Sequence, residues 1–521
     1  MRSHAGAWER GSMGTRNLTR ERGSEEKAWE RGIKSKMLSD RRQMIMSLAV
    51  IATIWLSLFV VRLTAPPDLL DNDQKRPAAY MLDAAVNGHW IIQCDDWGDV
   101  TSKPPLYTWL GALLILVFGR ISELTLLFPS AVAVLGCCGL IWYCCKRYFG
   151  LAAAFLAGVV YVVSPAGAKM IDLARTDSLF AFTVALAAMT AFSAWINGRG
   201  WTWFWLAAAA ATLTKGPLGV ILASLGLTAH IWEKRSSPEL RFRGSHWLGI
   251  AVFFCLTLGW LALAYWELGR PVVDKLIGRE LVGHADWAVG HKSFIHTFFL
   301  PTFYFLSRFA PWSMVTVMGL WRVLKHPASA PGERRFERFL FCSVAAGIVF
   351  ISFFPHQRGD LIFPLLPAAA MLAGRELAGL FRFALTASFF RKVMCVWVVV
   401  LLSLSLYYHL VRGREKIVLD TMGAREVARQ VEERFGRDAP IVYADASFGL
   451  QFYLGTIKRQ VSLEEAAERL ARNEPILVAV GNLARLRNLM PPGAEIHEVT
   501  SWPGPGAPVV TVVSNGPERA E

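Results

Sequence analysis

Between Met44 and about Leu410 the chain repeats one pattern: apolar runs of roughly 15 to 25 residues separated by short polar breaks. Runs of that length cross a bilayer as helices, and hydrocarbon tolerates only backbones that satisfy their own hydrogen bonds. The chain is therefore expected to fold as an all-α polytopic membrane bundle. Composition supports this, since 54% of the 521 residues are hydrophobic, more than a soluble domain carries. A formal charge of +14 would suit a nucleic acid if it were gathered in one soluble domain. Here the Lys and Arg residues sit in the first 43 positions and between apolar runs, so no nucleic-acid partner is expected.

The basic residues also orient the bundle. Arg16, Arg20, Arg22, Lys34, Lys36, Arg41 and Arg42 precede the run from Gln43 to Val61, which reads as a retained signal anchor behind a cytoplasmic tail. Residues 1–42 are expected to be disordered, and those before Met37 read alternatively as an overextended gene start. Downstream, Lys146/Arg147, Arg199, Lys234/Arg235, Arg322/Lys325 and Arg391/Lys392 mark every second break as cytoplasmic. The alternate breaks then share the other side with the loop at 63–105. They are the segment around Asp177, the turn Thr214-Lys215-Gly216-Pro217, the loop 268–297, and Pro355 to Asp360.

That scheme puts Asp73 and Asp177 on one face only if the run at 105–119, too short to span, is interfacial or re-entrant. About eleven spans remain on that count: 43–62, 124–145, 151–167, 178–196, 201–214, 216–232, 246–266, 298–321, 339–354, 361–380 and 393–411. The transmembrane domain is then 43–411, with juxtamembrane helices in its first large extracytoplasmic loop. Beyond Val411 charged residues return, and short apolar strands at 440–443, 475–480 and 509–513 alternate with amphipathic helices at about 421–436 and 462–473. Residues 412–521 are expected to form a small extracytoplasmic α/β domain without catalytic groups. Seven of the eight cysteines lie in or beside apolar runs and read as small packing residues.

The polar stretch at 71–105 carries Asp73-Gln74-Lys75-Arg76, Gly88-His89-Trp90 and Ser102-Lys103-Pro104-Pro105. In order and spacing it resembles the first large loop of the lipid-linked sugar transferases of the GT-C class, the aminoarabinose (lipid A) transferases and the dolichyl-phosphate-mannose-protein mannosyltransferases. The resemblance continues through Ala174-Arg175-Thr176-Asp177, Thr214-Lys215-Gly216-Pro217, Phe309-Ala310-Pro311-Trp312 and Phe363-Pro364-Leu365-Leu366-Pro367. It implies a multi-pass plasma (inner) membrane glycosyltransferase with its site on the extracytoplasmic, periplasmic face. The donor would be a polyprenyl-phosphate-linked sugar, and the acceptor a lipid, glycan or protein. Gln74 and Ser102 stand where the family pattern has glutamates. No cofactor is named by the sequence, and the loss of those carboxylates argues against a divalent metal.

Transfer of a sugar from a polyprenyl phosphate needs a base for the acceptor and cations for the leaving phosphate. Asp73 is the candidate base, with Asp71 two residues away as its alternative and Asp177 as a holder of the acceptor or of the loop. Lys103, fixed ahead of Pro104-Pro105, together with Arg76, Lys215 and Arg358, supplies candidate phosphate-binding cations. Each has a plainer reading: a solvated cap for Asp73, a helix-dipole partner for Asp177, snorkelling for Lys103. His284, His291 and His296 lack a recognised metal-ligand spacing and read as interfacial or acceptor contacts. The competing functions are a transporter or flippase of lipid-linked sugars and a membrane scaffold. The first should show inverted repeats and mid-bilayer charges, and the second leaves the acidic loop without a purpose.

Overall fold

The computed structural model describes residues 38–69, 72–237, 241–276, 278, 294–355, 357–380, 385–436, 439–472, 476–492, 496–504 and 507–515. Helix α1 (Leu38–Thr64) is apolar beyond its charged first turns and ends where Pro66 and Pro67 cannot continue it. There follow α2 (Asn72–Val86), α3 (Leu106–Phe118), α4 (Glu123–Tyr148), α5 (Leu151–Val163), α6 (Pro165–Asp172), α7 (Thr176–Asn197), α8 (Trp201–Lys215), α9 (Leu218–Ser224), α10 (Ala229–Lys234), α11 (Trp247–Leu268) and α12 (Arg270–Val273). The bundle closes with α13 (Phe294–Arg308), α14 (Trp312–Lys325), α15 (Pro331–Ser352), α16 (Leu366–Leu380) and α17 (Ala387–Leu410).

Among the described residues five helices, α1, α4, α7, α11 and α17, are long and apolar enough to cross a membrane. The count rises to six if α5 and α6, bent by 60° at Ser164-Pro165, form one broken span. At that bend the Ser164 side chain accepts from the Gly167 N–H and Pro165 starts the next helix without needing a donor. Several other apolar runs are interrupted where proline or glycine breaks the ladder. The run at 216–232 divides into α9, a 3₁₀ turn and α10, and the run at 298–321 divides at Pro311. Helix α3, at 13 residues, is too short to span.

Small residues let the helices close on one another, as association in lipid requires when burial from water contributes little. A Cβ on Gly374 of α16 would stand 2.5 Å from the Ala157 methyl of α5, so this contact admits no side chain. At one end of α4 and α7, Tyr148, Phe192, Phe336 and Phe339 form an aromatic cluster with ring centroids 4.4 to 5.5 Å apart.

The chain then builds a four-stranded sheet. Its strands are β1 (Ile441–Ala444), β2 (Leu477–Val480), β3 (His497–Gly504) and β4 (Ala507–Ser514), in the order β1-β2-β4-β3. β1 and β2 are parallel, with Ile441 opposite Leu477, and β4 runs antiparallel to both β2 and β3. Helices α18 (Lys416–Phe435), α19 (Phe448–Tyr453), α20 (Leu463–Ala471) and α21 (Leu483–Leu489) complete it. Ser462 accepts from the Glu465 N–H at 3.1 Å and so starts α20. Strand β3 is not legible from hydropathy, because His497, Glu498 and Thr500 interrupt its apolar pattern. All eight cysteines are free thiols, and Cys137, Cys138, Cys144 and Cys145 are buried in helix packing.

Candidate active site

Four segments far apart in sequence bring charge to one point. Asp73 stands in the first turn of α2, and Asp177 in the first turn of α7, where a helix N-terminus favours an anion. Lys215 ends α8, where the dipole favours a cation. The following Gly216 (φ +87°) turns the chain in a conformation costly for other residues. Arg358 and Asp360 lie on the turn between α15 and α16. Gln357 steadies that turn by donating to the carbonyls of Ile351 (2.7 Å) and Phe354 (2.6 Å).

Arg175, in extended conformation just before α7, is the hub. Its guanidinium reaches three carboxylates: Nε to Asp177 at 3.1 Å, Nη1 to Asp73 at 3.4 Å and Nη2 to Asp360 at 2.7 Å. The planar fork of arginine suits this divergent role. Lys215 donates to Asp177 and stands 4.0 Å from Asp360. Arg358 contacts Asp73 at 3.4 Å and Asp360 at 3.4 Å.

Exposure divides the cluster. The Asp73 and Arg358 side chains are 47% and 46% exposed, whereas those of Asp177, Asp360, Arg175 and Lys215 lie between 6% and 14%. The buried four form a floor, and Asp73 and Arg358 form an open pair above it. Burial by itself would raise the Asp360 pKa, but Lys215, Arg175 and Arg358 more than reverse this and hold the carboxyl below its ordinary value. Arg175 loses solvation too, yet Asp177, Asp360 and Asp73 raise its pKa above the usual arginine value.

Lys103 lies half-buried in the turn before α3, where the Thr101 hydroxyl donates to its carbonyl at 3.0 Å and accepts from its N–H at 3.4 Å. Four residues on, Tyr107 shares a hydrogen bond with Ser130 (2.9 Å), whose hydroxyl reaches the Arg175 carbonyl at 3.3 Å. The turn bearing Lys103 is thus tied to the hub. Arg76 is exposed and makes no ion pair among the described residues. Asp71, His284 and His291 lie outside the described residues, as does the side chain of His296.

Arg175 and Asp360 are the members of the cluster that the sequence does not single out. Arg175 was legible only as a neighbour of Asp177, and the one signal for Asp360 was its place at the end of a charged break beside Arg358. Gln74, where the family pattern has glutamate, is buried: its amide donates to Asp68 at 3.0 Å and accepts from the Ala174 N–H at 3.3 Å. A glutamate could not make the first of these bonds, because it would face the Asp68 carboxylate without a proton to share. Among the described residues no group of three or more His, Cys, Asp or Glu side chains is arranged to hold a metal. Beside the cluster a cavity of about 190 Å³ is lined by Arg62, Lys169, Asp172, Tyr408, Leu58 and Leu404, among others.

The model of the dolichyl-phosphate-mannose-protein mannosyltransferase family matches residues 102–262. An uncharacterized protein of Aquifex aeolicus (strain VF5) is 28% identical over 208 residues, 39% of this chain and 45% of that protein. The chain spans less than half the length of the curated relatives it matches. The crystal structure of ArnT from Cupriavidus metallidurans bound to undecaprenyl phosphate superposes with a TM-score of 0.65 at 17% identity, covering 92% of this chain and 98% of that one. Its apo state gives 0.64 at 18% identity, over 91% and 97%. The chain has the GT-C fold. The correspondence covers nearly all of both chains. Within this GT-C fold the open pair and its buried floor draw on the ends of α2, α7 and α8 and on the turn before α16.

Proposed function

We propose that this protein is an integral-membrane glycosyltransferase that moves a sugar from a polyprenyl-phosphate donor to an acceptor hydroxyl or phosphate. The reaction takes place on the extracytoplasmic face, with inversion at the anomeric carbon. The observation that carries this reading is the open Asp73–Arg358 pair set over the buried Arg175, Asp177, Lys215 and Asp360. Three carboxylates and three cations balance in charge, and the exposed members are the loosely held ones. An incoming lipid phosphate can exchange for Asp73 on Arg358, freeing the carboxylate for the acceptor.

Asp73 then takes the acceptor proton as the acceptor oxygen bonds to the anomeric carbon. The carbon–oxygen bond to phosphate breaks, and the electron pair leaves on the polyprenyl phosphate. Lys103, Lys215, Arg358 and Arg76 are assigned to that developing charge, with Arg358 and Lys215 already at the cluster. Arg175 holds Asp177 and Asp360 in place below. Domain 412–521 would lie over the same face and shape acceptor access, and the acceptor is a lipid, a glycan or a protein.

The test is transfer from a labelled polyprenyl-phosphate sugar by the purified full-length protein in lipid nanodiscs. The readout is loss of label from the donor together with inverted stereochemistry in the product. Donor left uncleaved in nanodiscs but moved across the bilayer of sealed proteoliposomes would replace this reading with that of a flippase.

A further inference from the structure

Three consecutive residues at the start of α2 leave the helix in three directions, because neighbouring side chains on an α-helix are turned by about 100°. Asp73 faces the charge cluster, Gln74 is buried against Asp68 and Ala174, and Lys75 reaches Asp96. Asp96 belongs to the loop that follows α2 and is fully buried. Its Oδ2 takes both the Lys75 ammonium at 3.2 Å and the Gln460 amide at 2.8 Å.

Gln460 comes from the C-terminal α/β unit and is fixed within it. Its Oε1 accepts from the Ala446 N–H at 3.0 Å, and its Nε2 also donates to the Ala446 carbonyl at 3.0 Å. The Gln460 backbone N–H donates to the Asp96 carbonyl at 2.8 Å, and Phe448 of the same unit lies 5.8 Å from the Lys75 ammonium. The second Asp96 oxygen has no hydrogen-bond partner among the described residues. A buried carboxylate satisfied on one oxygen depends on the groups that meet that oxygen. One of them is two residues from Asp73 and the other is rigid in a different part of the molecule.

We propose that Lys75, Asp96 and Gln460 form a latch through which the C-terminal unit sets the position of Asp73, so that all three are positioning residues for the transfer reaction. The inference rests on the reading of Asp73 as the base. In the full-length enzyme in nanodiscs, Gln460→Leu should lower kcat for transfer by about 10- to 100-fold, with the donor KM within about twofold of wild type, because the phosphate-binding cations are untouched. Lys75→Gln leaves Asp96 charged without its cation and should show the same loss. Adding Asp96→Asn replaces the ion pair by a neutral hydrogen-bonded pair and should return kcat to within about fivefold of wild type.

A Gln460→Leu enzyme with kcat within about twofold of wild type would overturn the latch, as would a KM rising in step with the loss. So would a double variant without recovery. If Gln460→Leu does not accumulate in the membrane, Lys75→Gln compared with its rescue decides the same question. Asp73→Asn measured alongside separates the two ideas. Wild-type turnover in Asp73→Asn removes the base and the latch together, whereas an inactive Asp73→Asn beside a fully active Gln460→Leu removes the latch alone.

Discussion

Two charge clusters sit toward opposite ends of the bundle, one at the start of α7 and one beside the aromatic cluster that Phe192 joins near its end, and they are built differently. At the aromatic end, Glu233 is fully buried and meets Arg338 at 2.6 Å, Arg334 at 2.9 Å and Arg335 at 3.5 Å. Close by in the fold, Arg375 binds the buried Glu337 at 2.7 Å and lies 5.5 Å from the Phe149 ring. At the other end Asp73 is nearly half exposed and held by two arginines at 3.4 Å each. The first cluster uses its charges to join α10, α15 and α16. The second leaves one carboxylate and one guanidinium open to solvent, with a saturated floor beneath. Buried pairs are costly to break and have little freedom to exchange partners, whereas loosely held exposed pairs can do so at small cost.

The sharpest test of that contrast is Asp73→Asn. Loss of this proposed base should reduce turnover by about 10² to 10⁴-fold while donor binding persists, as read by single-turnover kinetics and donor titration. Normal turnover would make the open pair an ordinary surface contact. Next in size, Lys103→Gln should cost about 10²-fold in turnover, with Lys103→Arg partly restoring it. If the Lys103→Gln enzyme matched wild type in both donor affinity and turnover, the lysine would serve only to anchor the loop at the membrane surface.

The aromatic-end cluster should respond in the opposite sense. Glu233→Gln leaves three arginines without their shared carboxylate and should lower stability by about 3 kcal/mol, with turnover per folded molecule unchanged. Thermal unfolding and active-site-normalised rates would check this, and a selective loss of rate would break the comparison.

The smallest effect concerns pH. A carboxyl whose pKa is lowered in the folded state contributes stability that is present above its unfolded value and lost as pH falls through the folded value. For Asp360 the ordinary value is 3.8, and Lys215, Arg175 and Arg358 hold the folded value below it. The difference in unfolding temperature between wild type and Asp360→Asn should therefore stay constant above about pH 5 and close below about pH 4. A gap that closed near neutral pH would mean that Asp360 is not held by these cations.

Features that depend on neighbours along the chain are legible in the residues themselves. Apolar run length required a membrane bundle, Ser462 with Glu465 marked the start of α20, and the segments at 73–76 and 102–105 carried a resemblance to the first large loop of GT-C transferases. Asp73, Asp177, Lys215 and Arg358 are legible there too, as candidates that the fold brings together. Helix lengths were legible only in part, because prolines and glycines divide apolar runs where surrounding protein accepts the freed backbone groups. Which charges meet is set by packing between distant segments. Arg175 binds Asp73 about a hundred positions before it and Asp360 far beyond it, and Gln460 of the C-terminal unit reaches Asp96 of the first loop. Such pairings depend on how segments pack, and the hydropathy or spacing of any one segment carries no record of its partner.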